Sequence, residues 1–171
     1  GAWLGAGMSH FLEHMLFKGT ATRGPQDFAR GIQEKGGYIN AYTSFEQTVY
    51  WVDIPAQNAA VAVELLADAV MNSTLPEAEF AKEQEVIRRE FAMGNDDPDS
   101  VAGKQLFATA FAEHPFRHPV IGHRDIFDRL TRDERLDVAP KLGKVLGAGA
   151  YGVVRERLVD GRAVERRVER Q

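Results

Sequence analysis

The stretch GMSHFLEHMLFKGT, residues 7–20, sets His10 and His14 four positions apart, with Glu13 directly before the second histidine. Apolar residues surround them and Gly19 follows, so residues 7–17 read as a helix with a polar interruption. On a helix, positions 10 and 14 lie about 40° apart around the axis and one turn along it, with Cβ atoms roughly 6 Å apart. Two imidazoles at that spacing reach one ion with zinc–nitrogen bonds near ~2.1 Å. Glu13 falls within the same arc but beside the pair, placed to act on a water rather than on the metal. This is the inverted order H-x-x-E-H, whose glutamate serves as general base. The rival reading is a polar helix with no metal, and the spacing favours zinc over it.

A catalytic zinc site takes three protein ligands and keeps a fourth position open. The chain has no cysteine, so disulfides and thiolate ligands are excluded and any metal rests on histidine and carboxylate. AKEQEVIRREFAM offers Glu83 and Glu90, seven apart on one helix face and separated by roughly 10 Å along the axis. Ile87 and Val86 border that face, so it is not a plain solvated stripe. Spacing leaves open which carboxylate is the ligand and which an outer partner. His114, His118 and His123 lie in HPFRHPVIGH, whose two prolines mark a loop, and are expected to be structural or exposed.

The order of elements constrains the fold class. RGPQDFARGIQEKGG reads as a second helix, with Pro25 near its start and Gly36-Gly37 at its end. YINAYTSFEQTVYWVDI reads as a hairpin turning at Ser44–Gln47. Residues 58–72 carry Val61, Leu65, Leu66, Ala69 and Val70 at helical spacing. STLPEAEFAKEQEVIRREFAMG follows as a helix, with Thr74 as N-cap and Gly94 as stop. DDPDSVAGKQLFATAFAEH begins another, and residues 124–130 form a short one. Helices and a hairpin without strict βαβ alternation predict α+β, with helices packed on an antiparallel or mixed sheet.

Three segments together, GMSHFLEHMLFKGT, GGYINAYTSFEQTVYW and EQEVIRREFAM, resemble the pitrilysin family of zinc metallopeptidases, which includes insulin-degrading enzyme and the mitochondrial processing peptidase. The resemblance runs from about Gly5 to Glu134. It implies a zinc-dependent endopeptidase acting on peptides or small unfolded proteins, with Zn2+ held by His10, His14 and Glu90. It implies that Glu13 activates the water and that Glu83 joins the catalytic set, supporting the site without binding metal. Asn40, Ala41 and Tyr42 match the edge strand on which the family receives an extended peptide. Only GAWL stands where the family has a strand before the first motif. The family also continues into a second homologous half that closes a chamber, so such a half or subunit is an expected partner. A non-catalytic peptide-binding or structural subunit of the same fold is the alternative, weakened by the intact H-x-x-E-H.

Residues 1–134 are thus read as a partial peptidase N-terminal domain and 135–171 as a basic tail outside the family pattern. Residues 141–171 carry 8 Lys and Arg against 4 Asp and Glu, while the whole chain carries 21 against 25. The acids interleaved there weigh against nucleic-acid binding. GKVLGAGAYGVV matches G-x-G-x-x-G-x-V at Gly147, Gly149, Gly152 and Val154, the pattern of a kinase glycine-rich loop. Glu165 stands where that pattern needs lysine, so a β-hairpin turning at Asp160-Gly161 is preferred over a nucleotide-binding relic. No apolar run approaches the ~20 residues of a membrane span. GAWLGAGMSH shows no signal-peptide pattern, so the chain is expected to be soluble; it does not begin with Met, and its compartment stays open.

Overall fold

The computed structural model describes residues 4–131, Glu134, and the backbone of two strands at 152–157 and 163–168. Helix α1 spans Met8–Leu16 and α2 spans Asp27–Gln33, followed by the hairpin β1 (Tyr38–Thr43) and β2 (Thr48–Pro55). Helices α3 (Ala59–Asn72), α4 (Glu77–Asp96), α5 (Pro98–Ala110) and α6 (Arg124–Arg129) come next, then β3 (Gly152–Arg157) and β4 (Ala163–Val168). The architecture is α+β, with helices packed on a mixed sheet of order β1-β2-β3-β4. Strands β1 and β2 pair antiparallel from Tyr38↔Asp53 to Thr43↔Thr48, and Ser44 N–H donates to Gln47 C=O at 2.7 Å to close the turn. Strand β3 adds in parallel to β2, and β4 returns antiparallel to β3. Gly152 and Val154 lie on β3 and Glu165 on β4. Gly147, Gly149 and the Asp160-Gly161 turn lie outside the described residues.

Two apolar clusters meet along α1. One holds Leu16, Phe28, Ile32, Val52, Ile54, Leu65, Leu66 and Ala69, with Leu12 packed against it, and joins the sheet to α2 and α3. The other holds Phe11, Met15, Phe80, Ile87, Phe91 and Phe127, and joins α1 to α4 and α6. At about 100° per residue, Phe11 and Met15 form one apolar stripe of α1 and Leu12 and Leu16 the next. What remains is a polar wedge holding His10, Glu13 and His14. Burial on two sides thus fixes the direction in which the motif points.

Two boundaries differ from the sequence reading. Helix α4 begins at Glu77 with Pro76 as its cap, because Thr74 is held to the C=O of Gly19 through both its N–H (3.0 Å) and its hydroxyl (3.3 Å). Gly94 does not stop α4, which continues to Asp96; Lys104 from α5 donates to the Gly94 carbonyl at 3.1 Å. The break falls instead at Asp97, whose carboxylate caps α5 by accepting from Ser100 N–H, with Pro98 at the first helical position.

Candidate metal centre

The two histidines of α1 meet one glutamate of α4. His10 Nε2 lies 3.4 Å from Glu90 Oε2, and His14 Nε2 lies 3.6 Å from Glu90 Oε1. One donor atom from each of the three residues falls within 4.8 Å of the others. The imidazoles stand edge to face with centroids 4.7 Å apart, which brings both Nε2 atoms toward the same carboxylate.

The remaining ring nitrogens are handled differently. His14 Nδ1 lies 2.9 Å from Glu83 Oε2, and Glu83 Oε1 accepts from Lys18 Nζ at 2.7 Å. Glu83 is the one buried charged residue among those described, and its two oxygens are each partnered. A carboxylate on Nδ1 holds the proton there and leaves the Nε2 lone pair free for a metal. His10 Nδ1 is buried with no hydrogen-bond partner, so Nε2 is its working atom. Burial, aided by the neighbouring His14, pushes His10 down to about 4. His10 is thereby the neutral imidazole that a metal requires, with its Nε2 3.4 Å from Glu90 Oε2.

Glu13 stands beside this group. Its Oε2 accepts from the Thr43 hydroxyl at the end of β1. Burial raises the Glu13 pKa above the usual carboxylate value, against the opposing pull of the Thr43 hydrogen bond and of His14. Burial and the Glu13 charge also push the Tyr50 hydroxyl up, so it stays protonated. On β1, Tyr38, Asn40 and Tyr42 are exposed, and the Asn40 side chain accepts from the Ala41 N–H at 2.8 Å. Asn40, Ala41 and Tyr42 therefore line the edge of the described sheet opposite β2.

The sequence reading did not single out Lys18 or Thr43. Lys18 is the next step of the four-residue spacing that links His10 to His14, and Thr43 shares the period-2 face of Ile39 and Ala41. Both signals were in the sequence, but neither residue belongs to a metal-ligating motif, so neither stood out. His118 and His123 form their own pair, Nδ1 to Nε2 at 2.9 Å, packed over Gly5 and apart from the metal donors. His114 is exposed and stacks edgewise on Phe116.

The sequence matches the insulinase family, peptidase family M16, over residues 4–124. The chain belongs to peptidase family M16. It is 37% identical over 135 residues to an uncharacterized zinc protease of Rickettsia felis, covering 79% of this chain and 33% of that protein. It is 37% identical over 157 residues to the human mitochondrial-processing peptidase subunit beta, covering 90% of this chain and 32% of that subunit. The crystal structure of a protease from Helicobacter pylori superposes with a TM-score of 0.74 at 28% identity, over 80% of this chain and 33% of that one. The M16 chain thus spans about a third of the length of these relatives. Two imidazoles and one carboxylate could hold zinc, and the Rickettsia relative is named a zinc protease, so the cofactor is zinc. None of the described helices is long and apolar enough to cross a membrane.

Proposed function

We propose that this chain carries the active site of a zinc-dependent endopeptidase, with His10, His14 and Glu90 holding the metal, Glu13 as general base and Glu83 positioning His14. The observation that supports it most is the meeting of three donor atoms within 4.8 Å, from two helices, beside a partly buried Glu13. Zinc held there would supply Lewis acidity, which lowers the pKa of a water and polarises a scissile carbonyl. Glu13 accepts the attacking water's proton and later gives it to the leaving amine. Its raised pKa suits both transfers, because a base nearer neutrality returns the proton more readily. Glu83 keeps the His14 proton on Nδ1 throughout.

The substrate in this reading is an extended peptide or small unfolded protein that adds as a strand along Asn40, Ala41 and Tyr42. It would replace the Asn40 side chain on the Ala41 N–H. A second homologous half or subunit closes the site, in keeping with relatives about three times as long. In this reading residues 1–134 are the peptidase unit and 135–171 a basic tail, whose described strands β3 and β4 extend the sheet of that unit. The intact His10, Glu13 and His14 weigh against a non-catalytic binding subunit.

The test is metal analysis with a variant of the base. Purified protein should hold one zinc per chain, and Glu13→Gln should keep that zinc while abolishing cleavage of an unfolded peptide in a cleavage-competent assembly. Activity within about tenfold of wild type would reject Glu13 as the base, since general-base catalysis is worth roughly 10²–10⁴-fold.

A further inference from the structure

Glu13 has one engaged oxygen and one without a partner among the described residues. Oε2 accepts from Thr43, and no hydrogen bond falls on Oε1. Thr43 Oγ1 also lies 3.2 Å from the hydroxyl of Thr48, its cross-strand partner at the end of the hairpin. A hydroxyl has a single proton to give. Thr43 directs its own to the Glu13 carboxylate, which when ionised only accepts, so the Thr43–Thr48 contact must be donated by Thr48. The two hydroxyls form a directed chain, from Thr48 on β2 to Thr43 on β1 to Glu13 Oε2 on α1.

We infer that Thr43 is a positioning residue for Glu13: it locks Oε2 and leaves Oε1 as the oxygen that takes and returns the proton. The inference rests on the reading of Glu13 as general base. A glutamate has three rotatable bonds, and a single charge-assisted hydrogen bond from a fixed donor removes most of that freedom at the carboxylate. Thr43 is such a donor, because its strand is paired over six positions and its turn is closed by the Ser44–Gln47 bond. Alternation along β1 turns Ile39, Ala41 and Thr43 inward while Tyr38, Asn40 and Tyr42 stay exposed. One strand therefore presents its outer edge to the peptide and its last inward side chain to the base. Substrate and base are referenced to the same rigid element, which matters because a displacement of ~1 Å costs on the order of 10²-fold in rate.

Thr43→Val removes the hydroxyl at nearly constant volume, and Thr43→Ser retains it. In the zinc-loaded, cleavage-competent protein, Thr43→Val should lower kcat about tenfold or more on an internally quenched unfolded peptide, with KM within about twofold and zinc stoichiometry unchanged. Thr43→Ser should restore kcat to within about threefold of wild type. The chain by itself supplies an independent readout through urea unfolding. There Thr43→Val should reduce the folding equilibrium constant at least about threefold more with Glu13 present than in a Glu13→Ala background. Wild-type kcat in Thr43→Val, or additive unfolding effects in the cycle, would overturn the assignment. Full turnover by Glu13→Gln would overturn the base reading and this role with it, while leaving any measured Thr43–Glu13 coupling in place. The two failures are thereby distinguished.

Discussion

His14 and Glu83 are joined at 2.9 Å through Nδ1 and Oε2, while the other face of the same imidazole meets Glu90, two turns further along α4. One histidine is thus gripped at both nitrogens by a single helix. Glu83→Gln keeps the shape but removes the charge that faces Lys18 and the Nδ1 proton. Its zinc affinity should fall about 10- to 100-fold, as measured with a competing chromophoric chelator. Affinity equal to wild type would leave Glu83 as a charge partner of Lys18 alone.

The proposed ligand set makes a sharper distinction. His10→Ala and Glu90→Ala should each lose stoichiometric zinc, since each removes one of three donors. His118→Ala should retain it, because His118 pairs with His123 over Gly5. Metal content by mass spectrometry after desalting checks both, and equal loss from His118→Ala would count against the assignment.

Phe127 is fully buried and contacts Phe11 and Phe91 at centroid distances of 5.9 and 5.6 Å, joining the two helices that bear the donors. Phe127→Ala should destabilise the chain by ~3–5 kcal/mol, from lost burial plus an unfilled cavity. Because α1 and α4 would loosen together, zinc affinity should fall as well. Urea unfolding with and without zinc measures both effects, and a loss of stability below about 1 kcal/mol would mean the site had collapsed around the gap.

Gly7 caps α1 with φ +68, and a Cβ there would lie 1.9 Å from the Ile121 carbonyl oxygen. Gly7→Ala combines a left-handed backbone with an impossible contact, so the loop at 121–122 or the start of α1 has to move. It should express poorly or melt well below wild type. Gly103→Ala is the control, as nothing lies within 4 Å of its added carbon. Equal melting temperatures for Gly7→Ala and wild type would contradict the packing.

Asp68 holds the segment after α1 against α3, accepting from Asn72, Arg23 and Thr20 at 2.9, 2.6 and 3.0 Å. These bonds, that from Asn72 foremost, hold its carboxyl below the usual range. A group whose pKa is depressed in the folded state stabilises it above the unfolded value and loses that contribution as pH falls through the folded value. Stability should therefore decline on acidification below about pH 4, and Asp68→Asn should flatten that limb. Urea midpoints between about pH 6 and 3 test it, and parallel curves for the two proteins would refute it.

Much of the site was legible because helical spacing is local. His10, Glu13 and His14 sit within five residues, so 3.6 residues per turn fixes their relative directions before any tertiary contact forms. The hairpin was equally local, since Ser44–Gln47 sets the register of Thr43 against Thr48. The caps were less legible. Thr74 has the chemistry of an N-cap, but a long-range pairing to Gly19 takes its N–H and hydroxyl, and the helix starts later.

The sequence by itself determined that two imidazoles and a carboxylate share one arc of a helix, and that Glu83 and Glu90 share one face of another. It left open which glutamate faces which ring nitrogen, because spacing along α4 says nothing about where α1 crosses it. That was decided by packing: Phe11 and Met15 against Phe80, Ile87, Phe91 and Phe127 set the crossing, which puts Glu90 opposite both Nε2 atoms and Glu83 opposite Nδ1 of His14. Lys18 on Glu83 and Thr43 on Glu13 were decided at the same level. Each contact joins residues at least 30 positions apart in the chain, and only the burial of two apolar stripes on α1 brings them within hydrogen-bond reach.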